Sequence, residues 1–349
     1  MRVLFLYTEL AEYFLKCCEE LSKEAEVHIV RWPVNKEAPF KFTFFDGLRV
    51  YDKQDFTYSE LELKVKAIDP DVIVCSGWID RDYLKIAGQY SKTKTTVMTC
   101  DTQWTGSAKQ YLAAILSRFF LLPRFHFVWV PGSRQEKYAQ KLGFRTKQIR
   151  NGFYSCDLSK FNEVYTKFPP AQRLSKKRFL YVGRYYEFKG IQDLWEAFTE
   201  FKKESASEWE LWCLGNGDLR PADEPGIRHF GFVQPAELEK IVSECSVFIL
   251  PSHFEPWGVV VHEYAASGFP LILSTSVGAA DAFLKETKNG FSFESGQVQA
   301  LKRVLNKIAG LSEKELILMA EESHELAQSI SPSSWAATLK EMFYEGQKK

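Results

Sequence analysis

No stretch of the 349 residues approaches the roughly 18–20 consecutive apolar side chains of a membrane-spanning helix. Residues 1–7 form only a short apolar run before Glu9 and Glu12, which reads as a first strand and not as a signal peptide. Net charge is also lacking: Lys+Arg and Asp+Glu both count 45, so no global drive toward nucleic acid is expected. The seven cysteines are odd in number and include no C-x-x-C pair, and several lie in apolar runs where a thiol acts as a small hydrophobe. Neither a disulfide framework nor a zinc site is expected from them. The six histidines show no H-x-x-x-H spacing, so no metal or other cofactor is expected. On these absences an intracellular, cytoplasmic protein is the starting expectation.

What is present is a repeating alternation. Apolar residues make up 45% and charged residues 26% of the chain, enough apolar character for about two domains of ordinary size. Strand-like runs at 3–7, 27–30, 72–75, 96–99 and 127–130 are separated by helical stretches near 9–23, 58–67, 80–90, 107–122 and 133–142. The pattern restarts with strands at 179–182, 211–214, 247–250 and 271–274. Such alternation predicts two doubly wound α/β domains, each a parallel sheet covered by helices, with a cleft between them. The predicted ranges are 1–156 for the first domain, 157–177 for a linker marked by Pro169-Pro170, and 178–330 for the second. A closing helix follows at 331–349, with Trp335, Leu339 and Phe343 at helical spacing.

Three segments carry the chemistry. Leu250 to Gly268 begins at the carboxyl end of a strand, where open α/β sheets bind ligands. Its Pro251, Pro256 and Gly258 impose a loop, and the helix starting after Gly258 offers backbone N–H groups to a phosphate. Glu255 in the loop and Glu263 in the helix would supply two carboxylates for sugar hydroxyls. In the second segment, 181–190, Arg184 and Lys189 follow a buried strand and suit a diphosphate. The third is the Gly215-Asn216-Gly217 turn after another strand, where backbone can approach a ligand closely.

In this order and spacing the three segments resemble glycosyltransferase family 4, retaining nucleotide-sugar transferases of the two-domain GT-B fold. The resemblance is strongest over 179–293. The family's G-R-x-x-x-x-K-G element is matched by Gly183, Arg184, Lys189 and Gly190. Its G-x-G turn is matched by Gly215 and Gly217, and its P-S-x-x-E-x-x-G-x-x-x-x-E element by Pro251, Ser252, Glu255, Gly258 and Glu263. A short family strand looks like 229–233. The resemblance implies that two Rossmann-like domains face each other across a cleft and that the closing helix crosses back to the first. It implies that Arg184 and Lys189 hold the donor diphosphate, Glu263 the ribose and Glu255 the transferred sugar. Backbone near Val233 would meet the base, and the loop and helix start at Pro256, Trp257, Gly258 and Val259 would add contacts to the phosphate. No divalent metal is then required, because fixed cations and amide dipoles stabilise the leaving group.

The first half departs from the family pattern. The loop after the first strand has no glycine, and Asp101 stands where many members carry a histidine. Asp101 is read either as a group that takes the acceptor's proton or orients the donor sugar, or as a helix cap. Of two D-x-D pairs, Asp69 and Asp71 lie at the amino end of a strand, and Asp80 reads as a helix cap. From 102 to 156 nine basic residues face one acid, Glu136. This region fits an anionic partner, either an acceptor carrying phosphate or peripheral contact with an anionic membrane, or else a solvated helix face balanced by acids elsewhere in the fold. The run Arg118 to Phe127 fits either docking on a membrane or a packed helix. The expected partners are thus a nucleotide-sugar donor and a carbohydrate or lipid-linked acceptor, in polysaccharide or glycolipid synthesis. The alternatives are a GT-B-like epimerase or a non-catalytic nucleotide-sugar-binding subunit.

Overall fold

The computed structural model describes residues 1–33, 42–205, 207–220 and 223–348. Residues 34–41, 206, 221, 222 and 349, which the expected domain ranges include, lie outside them. The chain divides into two units: Met1–Asp157 together with Ile330–Lys349, and Leu158–Ser329.

The first unit is built on strands β1 (Arg2–Tyr7), β2 (Glu26–Arg31), β3 (Arg49–Asp52), β4 (Val72–Ser76), β5 (Thr95–Thr99), β6 (Phe127–Trp129) and β7 (Ile149–Arg150). They form one sheet in the order β3-β2-β1-β4-β5-β6-β7, parallel at every pairing. Helices cover both faces, so the central strands are apolar on both sides. In β1, Leu4 and Leu6 enter one core, while Val3 and Phe5 enter the other. The second of these cores receives Trp335, Leu339 and Met342 from the helix Pro332–Gly346. Trp335 packs its indole 4.7 Å from Trp129 and donates Nε1–H to the Phe153 carbonyl at 2.7 Å. Phe343 lies at the edge of the same core. That helix begins where Ser331 caps it reciprocally with Ser334, with Pro332 in the first turn, where no backbone N–H is needed.

The second unit carries β8 (Arg178–Val182), β9 (Glu210–Leu214), β10 (Ile227–Gly231), β11 (Val247–Leu250), β12 (Leu271–Ser274) and β13 (Gly290–Phe293). Their order is β10-β9-β8-β11-β12-β13, again parallel throughout. From β8 the chain winds outward to β10, then returns to the other side of β8 as β11. The carboxyl ends of β8 and β11 therefore flank a topological switch point, the crevice where this architecture takes ligands.

Two expectations are corrected. The stretch 157–177 is not a linker: it folds into the helices Leu158–Lys167 and Pro170–Leu174. Pro170 starts the second of them instead of breaking it. Phe161, Val164 and Leu174 are buried, and the buried Arg173 guanidinium donates to the carbonyls of Phe168, Cys245, Ser267 and Gly268. The strand expected at 229–233 runs from Ile227 to Gly231, so Phe232 and Val233 lie past its carboxyl end.

Candidate functional site

The loops that leave β8, β9, β10 and β11 lock onto one another. Gly183 N–H donates to Leu214 O, Tyr185 N–H to Asn216 O, and Gly215 N–H to Gly231 O. A Cβ at Gly215 would sit 1.8 Å from the Gly183 carbonyl, and one at Gly217 would sit 2.3 Å from that of Tyr185. The glycines are there because backbone packs directly on backbone. At Gly190 the same is true against Pro251 O, 2.2 Å from an added Cβ, and φ is +65°. This contact joins the β8 loop to the β11 loop, reinforced by His253 N–H donating to Phe188 O at 2.8 Å.

The joint sets Lys189 against Glu255. Lys189 closes a single 3₁₀ turn, Glu187–Lys189, and its ammonium donates to the Glu255 carboxylate. The side chains are 19% and 12% exposed, so the pair is shielded yet reachable. Ser252 Oγ–H donates to the same carboxylate oxygen at 3.4 Å. Glu255 is held from the other side as well: its carbonyl accepts from Gly278 N–H at 2.9 Å, and it bridges Val277 in the loop after β12. Pro256 O lies 1.9 Å from where a Gly278 Cβ would stand, and the Trp257 carbonyl accepts from Ala279 N–H. The Trp257 indole itself is buried.

Gly258, with φ +94°, then reverses the chain into the helix Val259–Ala266. No side chain caps that helix, so its first turn presents amide dipoles beside Glu255 and Lys189. Glu263 sits in the second turn, half-buried. Arg184 is exposed on the β8 loop, which Tyr181 holds by donating its hydroxyl to the Arg184 carbonyl at 2.9 Å. Burial keeps the Tyr181 phenol well above its ordinary pKa, so it stays a donor. Among the described residues the Arg184 side chain has no ion-pair partner. Val233 is half-buried past β10.

Most of the residues expected at a donor site thus lie on loops or a helix start at the carboxyl ends of one sheet. Asp101 belongs to the first unit, just past the carboxyl end of β5, where it accepts from Tyr154 OH at 3.0 Å. It is not a helix cap: Ser107 caps Ala108–Phe120. Asp80 does cap its helix, through Asp82 and Tyr83 N–H, and Asp69 pairs with Arg2 and Lys94. Sequence reasoning did not find Asp193, whose carboxylate meets His253 Nε2 at 2.7 Å. Nothing in the spacing of these two residues announces the contact. Among the described residues, no three His, Cys, Asp or Glu side chains converge as metal ligands.

Two parallel-sheet units of this topology make the fold GT-B. Across 99% of both chains it is similar to sucrose-phosphate synthase from Thermosynechococcus elongatus, with a TM-score of 0.75 at 16% identity. It is also similar to Anabaena HepE in complex with UDP and glucose, with a TM-score of 0.68 at 14% identity, covering 99% of this chain and 100% of that one. In sequence it is similar to an uncharacterized glycosyltransferase of Methanocaldococcus jannaschii, 34% identical over 124 residues, which cover 33% of this chain and 31% of that protein. Residues 166–322 match the model of the family described as Glycosyl transferases group 1.

Proposed function

We propose that the protein transfers a sugar from a nucleoside-diphosphate donor to a carbohydrate or lipid-linked acceptor, with retention at the anomeric carbon, as in glycosyltransferase family 4. The observation that carries this reading is the Lys189–Glu255 pair at the β8/β11 switch point, next to an uncapped helix start. The HepE neighbour, crystallised with UDP and glucose, supports a nucleotide sugar as the donor.

In this reading Arg184 and Lys189 bind the diphosphate, joined by the amides after Gly258. As the anomeric carbon–oxygen bond breaks, negative charge grows on the departing nucleotide, and these fixed positive groups stabilise it without a divalent metal. Glu255 binds the sugar hydroxyls, and its hold on Lys189 keeps the ammonium in place before the donor arrives. Glu263 binds the ribose, and backbone at Val233, Gly215 and Gly217 borders the nucleoside. Asp101 serves the acceptor, as a proton acceptor or an orienting group, with Tyr154 fixing its carboxylate. The setting is cytoplasmic synthesis of a polysaccharide or glycolipid.

Incubating the purified protein with UDP-, GDP- and ADP-sugars, acceptor extract and EDTA tests the proposal. Release of nucleoside diphosphate that depends on acceptor, with the donor's anomeric configuration kept in the product, is expected. Binding without turnover would point to a non-catalytic subunit. A new sugar epimer formed without acceptor would point to an epimerase.

A further inference from the structure

The helix Ala108–Phe120 in the first unit is turned inside out relative to an ordinary surface helix. Its inward face is polar and small. Gln110 is buried and bonded to Thr105 N–H, Gly106 N–H and Gln103 O, and Ser117 is buried and donates to Ala114 O and Leu142 O. Ala113 and Ala114 fill the space between them. Tyr111, Leu112, Ile115, Leu116, Phe119 and Phe120 all stand exposed, Ile115 at 64% and Phe119 at 71%. At about 100° per residue these six cover an arc of roughly 180°, with Lys109 at one margin and Arg118 at the other. Both cations are exposed, and the helix contains no acid. Arg124 closes its carboxyl end, donating to the carbonyls of Phe119 and Phe120. Apolar surface continues past the helix, since Trp104 packs edge-on against Tyr111 at 4.9 Å.

We infer that this face docks on an anionic lipid surface. An apolar arc bordered by cations matches acyl chains beneath phosphate headgroups, with the rings inserted and Lys109 and Arg118 at headgroup level. Thirteen residues give about 20 Å of helix, too short to span a bilayer and suited to lying in its plane. A second copy of the chain would meet the same cations with no acid on the helix to answer them. A lipid phosphate answers both the charge and the apolar strip. This inference does not depend on the proposed reaction.

Flotation of the full chain with two vesicle types tests it: phosphatidylcholine alone, and equal parts of phosphatidylcholine and phosphatidylglycerol. Recovery with the anionic vesicles is expected to exceed that with the neutral ones by about tenfold or more, and to fall with added salt. The Ile115→Glu/Phe119→Glu double variant changes only exposed side chains, so it should keep its melting temperature while losing about tenfold or more of the binding. Lys109→Glu/Arg118→Glu, which leaves the apolar strip intact, should lose the preference for anionic vesicles. Absence of wild-type binding to either vesicle overturns the inference. So does binding that Ile115→Glu/Phe119→Glu leaves undiminished. A dimer seen by light scattering that the same variant dissolves, without vesicle binding by the wild type, would assign the face to a second copy instead.

Discussion

Lys189 and Glu255 answer each other's charge inside the second unit, so a substitution at either one reaches both. On the proposed reading, Lys189→Ala removes a charge-assisted contact to the diphosphate, and it leaves the Glu255 carboxylate beside it uncompensated. Nucleotide affinity, read by calorimetry with UDP, GDP and ADP, is expected to fall roughly tenfold to a hundredfold, about 1.5–3 kcal/mol. Arg184→Ala should act in the same direction. Glu255→Gln keeps the size and most hydrogen-bonding capacity of the side chain. It should leave nucleoside-diphosphate affinity within about threefold while turnover drops by about two orders of magnitude. An equal loss of both would place Glu255 at the nucleotide and not at the sugar. Arg173 holds a purely structural post. Its guanidinium satisfies the carbonyls of Cys245, Ser267 and Gly268 in a buried site, and Arg173→Met should cost about 3 kcal/mol or more in denaturant unfolding.

At the scale of elements, the helix Pro332–Gly346 is bound to the first unit chiefly through Trp335, which packs against Phe5, Phe14 and Trp129. Trp335→Ala leaves a cavity between these rings and strands the Phe153 carbonyl, so a loss of about 3–5 kcal/mol in urea unfolding is expected. The strands legible in the sequence were the buried central ones, whose unbroken apolar runs need no partner to be seen. The edge strands β3, β7 and β13 went unread. β3 is only partly buried, β7 has two residues, and Gly290–Phe293 alternates too briefly to separate strand from loop. The helices at 158–174 were hidden by a proline pair that reads as a break unless it is known to begin a turn. The loops of the candidate site are legible because their glycines and charges sit at fixed offsets from strand ends. The contacts between those loops, such as Asp193 with His253, join residues sixty positions apart and leave no local trace.

For the molecule as a whole, acid should be destabilising through its buried histidines. Buried His262 donates Nε2–H to Ala327 O at 2.8 Å, and burial, which penalises the charged ring, pushes its pKa from 6.5 down to about 4. His28 and His229 are lowered by burial as well. The unfolded chain therefore binds more protons than the folded one between those two values. Stability is complete above about pH 6.5 and declines toward pH 4, by roughly 3 kcal/mol for His262 alone. Denaturant midpoints across this window check the slope, and His262→Gln, which can still donate to Ala327 O, should flatten it by about one proton.

The return of residues 330–349 to the first unit has a consequence for biosynthesis. While roughly 170 further residues leave the ribosome, the seat later filled by Trp335, Leu339 and Met342 stays uncovered on the nascent chain. At about 5–20 residues per second that interval lasts on the order of ten to thirty seconds. Over that time the emerging protein offers a greasy trough to any holdase chaperone nearby, until the helix Pro332–Gly346 emerges and fills it.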